Sequence, residues 1–502
     1  MHPDPQFPEG SSPDNAQHGG MLYGVEYENS GSVDKNFNAD AGCAVCEHES
    51  ASSVYVQWGR KTCSNGHKTV YYGLIMANKY TAYKSEYICV DWERAPWSGS
   101  KAPGVPGHYA TLYTTEWWPI DYADYKQGRE LSCAVCSPEP GSVVYTRWGS
   151  KKCPSGATEL YTSFMAGSRQ DAKGNGVNYL CVHPEPEYPE GVGAPINVGG
   201  ALLSPVQYKD NFVIKNVIKN NNQEAACTVC EKKNVMSVYT QWGIKTCPSD
   251  QQLEYHGIIM STHLSNTKAE FVCVDEEIAF HAASRSADDF HFGRLYHSEM
   301  QNGAAGDQYG NDKEVSCAVC SSAKPVYTRF GAKTCPEGST KLYDSFMATS
   351  YHSHSGSGYN YLCMHPQPEW PEGMNAGNQD AANIFGVEYR NTGTIDKNHD
   401  GDAACAVCQG GQRVPYVQWG RTTCSNDQTS VYTGLIMTSE HTLQPNEWVC
   451  VDWERAVHDT SKSTSENSGH LYTSEMEEGS KFGLDIYASN HKNPELACVV
   501  CV

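Results

Sequence analysis

A short run of alternating apolar and polar residues recurs five times along the chain, and a glycine follows each copy. In the first copy Val54, Val56 and Trp58 share one face of an extended strand, while Tyr55 and Gln57 share the other. We expect the face that carries Trp58 to be buried and the glycine to end the strand. The pattern predicts a β-strand at each copy.

Two further apolar runs follow each copy: one passes through a tyrosine to GLIM, GIIM or SFM, and the other ends in a cysteine. No long segment shows a period of 3.6 with helix caps. The sequence therefore predicts a mostly β protein with little helix, built as a tandem array of small β modules. A body of about 50 residues buries too little apolar surface to be secure alone, so cross-links are expected.

The 22 cysteines follow one order from end to end. Each quartet reads C-x-x-C, then 14 to 16 residues and a third cysteine, then 25 or 27 residues and a fourth. Self-similarity of this kind is the signature of a tandem repeat. The quartets are Cys43, Cys46, Cys63, Cys89; Cys133, Cys136, Cys153, Cys181; Cys227, Cys230, Cys247, Cys273; Cys317, Cys320, Cys335, Cys363; and Cys405, Cys408, Cys424, Cys450, followed by the pair Cys498 and Cys501.

The repeats alternate between two types. Type A carries GLIM or GIIM and ends in CVD, whereas type B carries SFMA and ends in CVHP or CMHP. We predict a linker at residues 1–19 that continues from an upstream module, because residues 1–10 match residues 364–373, which follow Cys363. The predicted modules are 20–98 (type A), 107–191 (type B), 199–281 (type A), 291–373 (type B), 384–457 (type A) and a partial module at 468–502.

Disulfides and zinc are the two chemistries that repeated C-x-x-C motifs allow. A structural zinc site draws its ligands as two close pairs, but here only the first two cysteines of each quartet are close. We therefore predict that all 22 are disulfide cysteines, with the pairing left open among three possibilities for each four. Disulfides imply an oxidising compartment and hence a secreted protein, although residues 1–20 do not have the pattern of a signal peptide.

The number of C-x-x-C pairs exceeds the number of bodies, because six pairs flank only five intervening bodies. Two cysteines then lack a partner within the chain. They are either one whole pair, or one at each end near Cys43 and Cys501. The second arrangement predicts head-to-tail association of subunits into filaments. Truncation or a local bridge between Cys498 and Cys501 is the alternative.

Calcium is the one cofactor that the sequence suggests, and none is required. A D-x-N-x-D-G run has the alternating oxygen ligands that a hard cation prefers, although position twelve is Val407 rather than Glu. An equivalent linker occurs in the first module. The candidate ligands are Asp396, Asn398 and Asp400 in one linker and Asp34, Asn36 and Asn38 in the other. A polar turn is the alternative interpretation.

Composition excludes several classes of function. Lys plus Arg total 37 against 58 Asp plus Glu, and the resulting net charge of −21 repels nucleic acid. No run approaches the roughly 18 apolar residues of a membrane helix. We find no G-x-S-x-G or H-E-x-x-H motif, and no catalytic carboxylate or His that recurs at one position. The sequence therefore predicts that the protein is not an enzyme.

The motifs CAVC, Y-T-R-W-G-x-x-x-C-P, Y-x-S-F-M and N-Y-L-C resemble the cysteine-rich non-collagenous modules of invertebrate secreted proteins that are similar to sponge short-chain (spongin-type) collagens. The likeness extends over nearly the whole chain as repeats. It implies a secreted or matrix role and supplies no catalytic residue, and since no collagen triplets are present it does not imply a triple helix. The motifs lie at residues 133–136, 145–154, 161–165 and 178–181, and again at 317–320, 327–336, 343–347 and 360–363.

Together these features predict an extracellular structural protein, a disulfide-rich array that assembles into a fibre or matrix. Its expected partners are further copies of itself, joined head to tail, and other matrix proteins or glycans. The alternative is a secreted, multivalent carbohydrate-binding (lectin-like) protein, in which a repeated aromatic surface would bind sugars with avidity. A lectin should show an open, aromatic-lined pocket once per module.

Overall fold

A computed structural model of the chain describes residues 1–10, 19–28, 36–47, 53–98, 100, 109–118, 120–190, 199–209, 222–284, 291–302, 307–372, 381–390, 397–461, 467–476 and 495–502. These residues form 28 β-strands and two single-turn 3₁₀ helices, Ser64–Gly66 and Asp307–Tyr309. The predicted fold class, mostly β with little helix, is confirmed. No helix in the described ranges is long and apolar enough to cross a membrane.

Each repeat contains a body, which we define as the segment from its first strand to its fourth cysteine. Type A bodies span residues 55–89, 237–273 and 416–450, and type B bodies span 142–181 and 326–363. The first strands are β3 (Tyr55–Trp58), β8 (Ser142–Trp148), β13 (Ser237–Trp242), β19 (Val326–Phe330) and β24 (Tyr416–Trp419). The long second strands are β4 (Lys68–Ala77), β9 (Ala157–Gly167), β14 (Gln252–Ser261), β20 (Ser339–Thr349) and β25 (Ser430–Thr438). The third are β5 (Ile88–Asp91), β10 (Leu180–Cys181), β15 (Val272–Asp275), β21 (Leu362–Cys363) and β26 (Val449–Asp452).

The centre of each body is completed by a strand from the next repeat. This strand carries the following C-x-x-C motif and lies antiparallel to both the first and the second strand of the body. In the first repeat Cys133 is opposite Trp58 on one side and Gly73 on the other. The C-x-x-C strands are β7 (Ser132–Ser137), β12 (Ala226–Lys233), β18 (Ser316–Ser322), β23 (Ala404–Gly410) and β28 (Ala497–Cys501).

A second set of strands joins the bodies to one another, and we call them ring strands. Six parallel pairings of three residues each connect them in a closed circuit. The circuit runs from β2 (Val25–Tyr27) through β6 (Ala110–Trp117), β11 (Ala201–Tyr208), β16 (Gly293–Met300), β22 (Ala382–Tyr389) and β27 (Gly469–Met476) to β1 (Gly20–Leu22), which leads back to β2. The short strand β17 (Lys313–Glu314) pairs with β16. The first and last ring strands therefore meet within one molecule.

The hydrophobic cores lie between repeats rather than inside single modules. One cluster brings Tyr255 and Phe271 of a type A body together with Tyr309, Phe346 and Ile384 from the two repeats that follow. Every disulfide likewise joins cysteines on opposite sides of a predicted module boundary. The folded unit is thus a body together with the next C-x-x-C strand, and its ends do not coincide with those of the predicted modules. The module boundaries themselves stay a prediction from the sequence.

The face of the first strand that carries Trp58 packs against the core as predicted, since Val56 and Trp58 contact a buried cluster, but the opposite face is covered as well. Gln57 is fully buried, whereas Trp58 is only half-buried and Val54 is exposed. The Gln57 side chain donates a hydrogen bond to the Thr62 carbonyl. It also accepts one from the Ser64 amide, with a distance of 2.9 Å between the nitrogen and the oxygen. Gln57 can be buried because both polar atoms of its side-chain amide form hydrogen bonds with the backbone of the following turn.

Candidate assembly site

The ten disulfides obey one connectivity rule. The third cysteine of each quartet bonds to the second cysteine of the next C-x-x-C pair, and the fourth cysteine bonds to the first. The bonds are Cys63–Cys136, Cys89–Cys133, Cys153–Cys230, Cys181–Cys227, Cys247–Cys320, Cys273–Cys317, Cys335–Cys408, Cys363–Cys405, Cys424–Cys501 and Cys450–Cys498. Disulfides rather than thiolate zinc sites are therefore confirmed.

The spacing of the C-x-x-C motif explains this connectivity. Side chains alternate along a strand, so the two cysteines, three residues apart, lie on opposite faces of the sheet. In the first repeat, one face carries the bond between Cys133 and Cys89, and the other carries the bond between Cys136 and Cys63. The bonds span 42 to 77 residues. Loops of that size correspond to about 4 kcal/mol of stabilisation for each bond in the chain-entropy model.

Cys43 and Cys46 are the two predicted disulfide cysteines that the structure leaves as exposed thiols. They are one whole pair, the first of the two arrangements that the sequence allowed, and Cys498 and Cys501 are both bridged within the chain. We call residues 43–47 the open segment. Its Val45 is 80% exposed, whereas the equivalent valine of each bridged C-x-x-C strand is at most 8% exposed.

The open segment nevertheless occupies the position of a C-x-x-C strand in the circuit. Just before it, Ala41 forms an antiparallel bridge with Pro96, as Ala225 does with Phe280 in the third repeat. At its last residue, a carboxylate oxygen of Glu47 lies 3.5 Å from the side-chain nitrogen of Gln428 in the last type A body. The open segment therefore lies where a C-x-x-C strand would lie, but no body pairs with it among the described residues.

A pair of buried acidic or amide side chains recurs at six of the seven ring strands, and the sequence analysis missed it. The signal is visible in the sequence, because an Asp or Glu stands three residues before every C-x-x-C pair. Each such acid is opposite a residue of a ring strand, and all twelve side chains are buried. The pairs are Glu26 with Asp40, Glu116 with Glu130, Gln207 with Glu224, Glu299 with Glu314, Glu388 with Asp402 and Glu475 with Glu495.

Burial raises the pKa of three of these carboxyl groups. It raises the pKa of Glu26 to about 7, with a further contribution from the negative charge of Asp40. Burial also raises the pKa of Glu130 and that of Glu495. A carboxyl group thus recurs at one position in the repeats, which the prediction that no catalytic carboxylate recurs did not take into account. The recurring acids lie inside strand junctions, where a protonated carboxyl can donate a hydrogen bond.

Three further glutamates, Glu86, Glu270 and Glu447, occupy equivalent positions in the three type A repeats. Burial raises the pKa of Glu270 and that of Glu447 to about 8; the negative charge of Glu86 adds to the effect at both, and that of Glu270 adds to it at Glu447. The Tyr179 amide donates to a Glu270 carboxylate oxygen at 2.7 Å. The Tyr361 amide donates likewise to Glu447, so each of these two glutamates joins a type A repeat to a type B body.

One group among the described residues has the composition of a metal site. The ligand atoms of His297, Glu299 and Glu314 all lie within 4.8 Å of one another, and the three side chains are buried. The positions equivalent to His297 on β6 and β27 are Thr114 and Thr473. This donor set thus occurs in one of the three equivalent repeats, unlike the cysteine junctions.

The predicted calcium ligands have other contacts in the structure. Asn36 donates its side-chain amide to the Arg94 carbonyl at 2.8 Å, and Asn398 donates to the Arg455 carbonyl. The Asp400 carboxylate forms an ion pair with the Arg390 guanidinium. Asn38, like Asn398 and Asp400, has a positive φ, as expected in a tight polar turn. Asp34 and Asp396 lie outside the described residues, and calcium binding stays a prediction.

No protein-family model matches the chain.

Proposed function

We propose that this chain is an extracellular structural protein, a covalently cross-linked ring that serves as a unit of a fibre or matrix. The ten disulfides support formation in an oxidising compartment and hence secretion. The observation that carries the proposal is that each body is bonded twice to the next repeat while β1 pairs with β27. Such a molecule opens slowly, which suits persistence outside the cell.

Self-association is part of the proposal, but its contact differs from the predicted one. The head-to-tail junction that would extend a filament is made within a single chain, between β1 and β27 and between residues 1–6 and the last type A body. Contacts between molecules would therefore use the outer surface of the ring. We expect ring-shaped particles that associate laterally.

Electron microscopy of the native material tests the structural role. The expected result is a lattice or fibre whose repeating unit is a ring of this mass, resistant to protease until a reductant is added. Monodisperse particles that the protease digests equally fast with and without reductant would contradict the proposal.

The lectin-like alternative rests on exposed aromatic side chains. Tyr72 and Trp92 stack with ring centroids 6.4 Å apart at the surface of the first type A body. In the next type A body, however, His256 and Glu276 occupy these positions and form an ion pair at 2.9 Å. A multivalent lectin needs the same surface on each repeat. A glycan array on which binding is lost in Tyr72→Ala would favour this alternative.

A further inference from the structure

Type B bodies present an arginine to the type A repeat that follows them. The Arg147 guanidinium lies 2.5 Å from the Asp275 carboxylate and 5.6 Å from the centre of the Tyr255 ring. The next residue, Trp148, forms a parallel bridge with Val274. Carboxylate, aromatic ring and strand edge together make a receptor for one arginine and the strand that carries it.

The second type B body repeats the contact on the last type A body. The Arg329 guanidinium lies 2.7 Å from the Asp452 carboxylate and 5.6 Å from the centre of the Tyr432 ring. Phe330 bridges to Val451, as Trp148 bridges to Val274 in the other copy. The receptor is therefore a property of the type A repeat.

The first type A body has the same receptor, and no type B strand lies against it in the described part of the chain. Tyr71, Val90 and Asp91 hold the three positions. The adjoining Ile88 is 42% exposed, whereas the equivalent Val272 is 5% exposed beneath a type B body. The exposed Ile88 beside the partly exposed Asp91 and Tyr71 forms a surface that a type B strand fits.

The residues before the open segment identify the type of body that belongs there. Asp40-Ala41 precedes Cys43 as Glu224-Ala225 precedes Cys227, and Cys227 accepts the fourth cysteine of a type B body. The C-x-x-C strands that accept type A bodies are preceded instead by Glu-Leu or Glu-Val. The open segment therefore belongs to the class that accepts type B.

The first six residues give an independent indication. The His2 amide donates to the Trp419 carbonyl at 3.0 Å. The His183 amide makes the same bond to Trp58, and the His365 amide to Trp242. His183 and His365 each follow directly on a type B body. Residue 2 therefore contacts the last type A body in the same way that the residues after a type B body contact the other two type A bodies.

We propose that the open segment and the adjoining face of the first type A body receive a sixth body of type B, carried on a polypeptide outside these 502 residues. The partner has a Tyr-Thr-Arg-aromatic-Gly strand and two cysteines with 27 residues between them, as in both type B bodies here. Its third cysteine bonds to Cys46 and its fourth to Cys43. Its arginine binds Asp91 and Tyr71.

The covalent step balances with a small-molecule disulfide as the oxidant. Each bond forms from one thiol of this chain and one of the partner, with loss of two protons and two electrons. The oxidant accepts them and is reduced to two thiols. A second copy of this chain does not supply the partner, because each of its five bodies already holds a C-x-x-C strand through two disulfides.

The inference goes beyond the proposed structural role and is tested separately, by coupling in a glutathione redox buffer. The full chain is mixed with a probe polypeptide of residues 142–190, a type B body with Cys153 and Cys181. We expect a one-to-one adduct with bonds Cys46–Cys153 and Cys43–Cys181. A type A probe, residues 237–282, is the matched control and should give at least about tenfold less adduct, since it lacks the arginine.

Variants of the full chain locate the receptor. Asp91→Asn should lower the yield of the type B adduct about tenfold by removing the charge-assisted bond. Glu93→Gln, an exposed neighbour, should leave the yield unchanged. Equal coupling of both probes, crossed bonds, or a disulfide dimer of the chain itself would each overturn the proposal.

Native material gives a readout that does not depend on the probe. Peptide mapping without reduction should find Cys43 and Cys46 bonded to two cysteines of one partner sequence with the type B spacing. A bridge between Cys43 and Cys46, or free thiols at both, would contradict the assignment. A structural role that fails by microscopy leaves this result unaffected, so the two proposals are distinguishable.

Discussion

Gly20 and Ser474 are partners in a parallel strand pair, although they come from opposite ends of the chain. The same relationship joins Ala201 to Thr115 in the middle of the chain. The junction between the first and last strands is thus the same structure as an internal junction. A closed circuit leaves few free strand edges, which limits unwanted pairing with other chains.

Replacing Gly20 tests whether the circuit is closed in solution. A Cβ at this position would lie 2.4 Å from the Thr438 side chain and 3.0 Å from that of Ser474. We expect Gly20→Val to force β1 away from β27 and to destabilise the junction by about 1–3 kcal/mol. Hydrogen exchange should then speed up at residues 474–476 and stay unchanged at 115–117.

Met21→Leu, which conserves volume, is the control for that experiment and should exchange like the wild type. Protection of residues 474–476 that is the same in Gly20→Val and in the wild type would show that the two ends do not pair.

Removing one disulfide should cost far more than removing the open pair. The double variant Cys89→Ser, Cys133→Ser opens a loop of 44 residues, and we expect a loss of about 4 kcal/mol in the free energy of unfolding. Cys43→Ser, Cys46→Ser changes two exposed thiols and should stay within about 0.5 kcal/mol of the wild type. Denaturant titration without reductant measures both, and equal losses would refute the assigned pairing.

The arginine contact between bodies makes a third prediction. Arg329→Met leaves the buried Asp452 carboxylate without its ion-pair partner, and we expect a loss of about 3–5 kcal/mol at pH 7. Adding Asp452→Asn should recover much of the loss, because the uncompensated charge is removed. Thermal denaturation of the two variants measures the difference. No recovery in the double variant would mean that packing rather than charge governs the contact.

A pH dependence follows from Glu447. Burial, assisted by Glu86 and Glu270, raises the pKa of Glu447 from 4.5 to about 8. A carboxyl group whose pKa is raised on folding favours the folded state below its unfolded pKa, and this contribution is lost as the pH rises through the folded value. We therefore expect Glu447→Gln to be more stable than the wild type by about 1–3 kcal/mol at pH 9 and nearly equal at pH 4.5.

The comparison with the wild type at each pH cancels other titrating groups, such as the buried Lys268, whose pKa burial lowers to about 7. Glu139→Gln, at an exposed site, should show no such difference. If the melting temperatures of Glu447→Gln and the wild type differ by the same amount at every pH from 4.5 to 9, the pKa of Glu447 is not raised on folding.

The local elements could be predicted from the sequence because they depend on neighbouring residues. Alternation in each first strand and the glycine after it gave the strands, and regular cysteine spacing gave the repeats. The burial of the opposite face of the first strand could not be predicted, since Gln57 is buried through hydrogen bonds to the turn that follows it. Those bonds depend on the path of the backbone rather than on hydrophobicity.

The assembly of the repeats depends on contacts between distant residues, which periodicity does not encode. Cys63 bonds across 73 residues to Cys136 because the next repeat inserts its C-x-x-C strand into the body. The role of the acid before each C-x-x-C pair likewise depends on a distant partner, since Glu130 lies opposite Glu116 of a ring strand. The exchange of strands between repeats explains both the connectivity and the buried acids.

Disulfide mapping of the unreduced native protein, with free thiols capped beforehand, tests the central claim most directly. We predict bonds from each third cysteine to the second cysteine of the next pair and from each fourth to the first, beginning with Cys63–Cys136 and Cys89–Cys133. Bonds within one body, such as Cys63 to Cys89, or capped thiols throughout the chain, would contradict a ring cross-linked between its repeats.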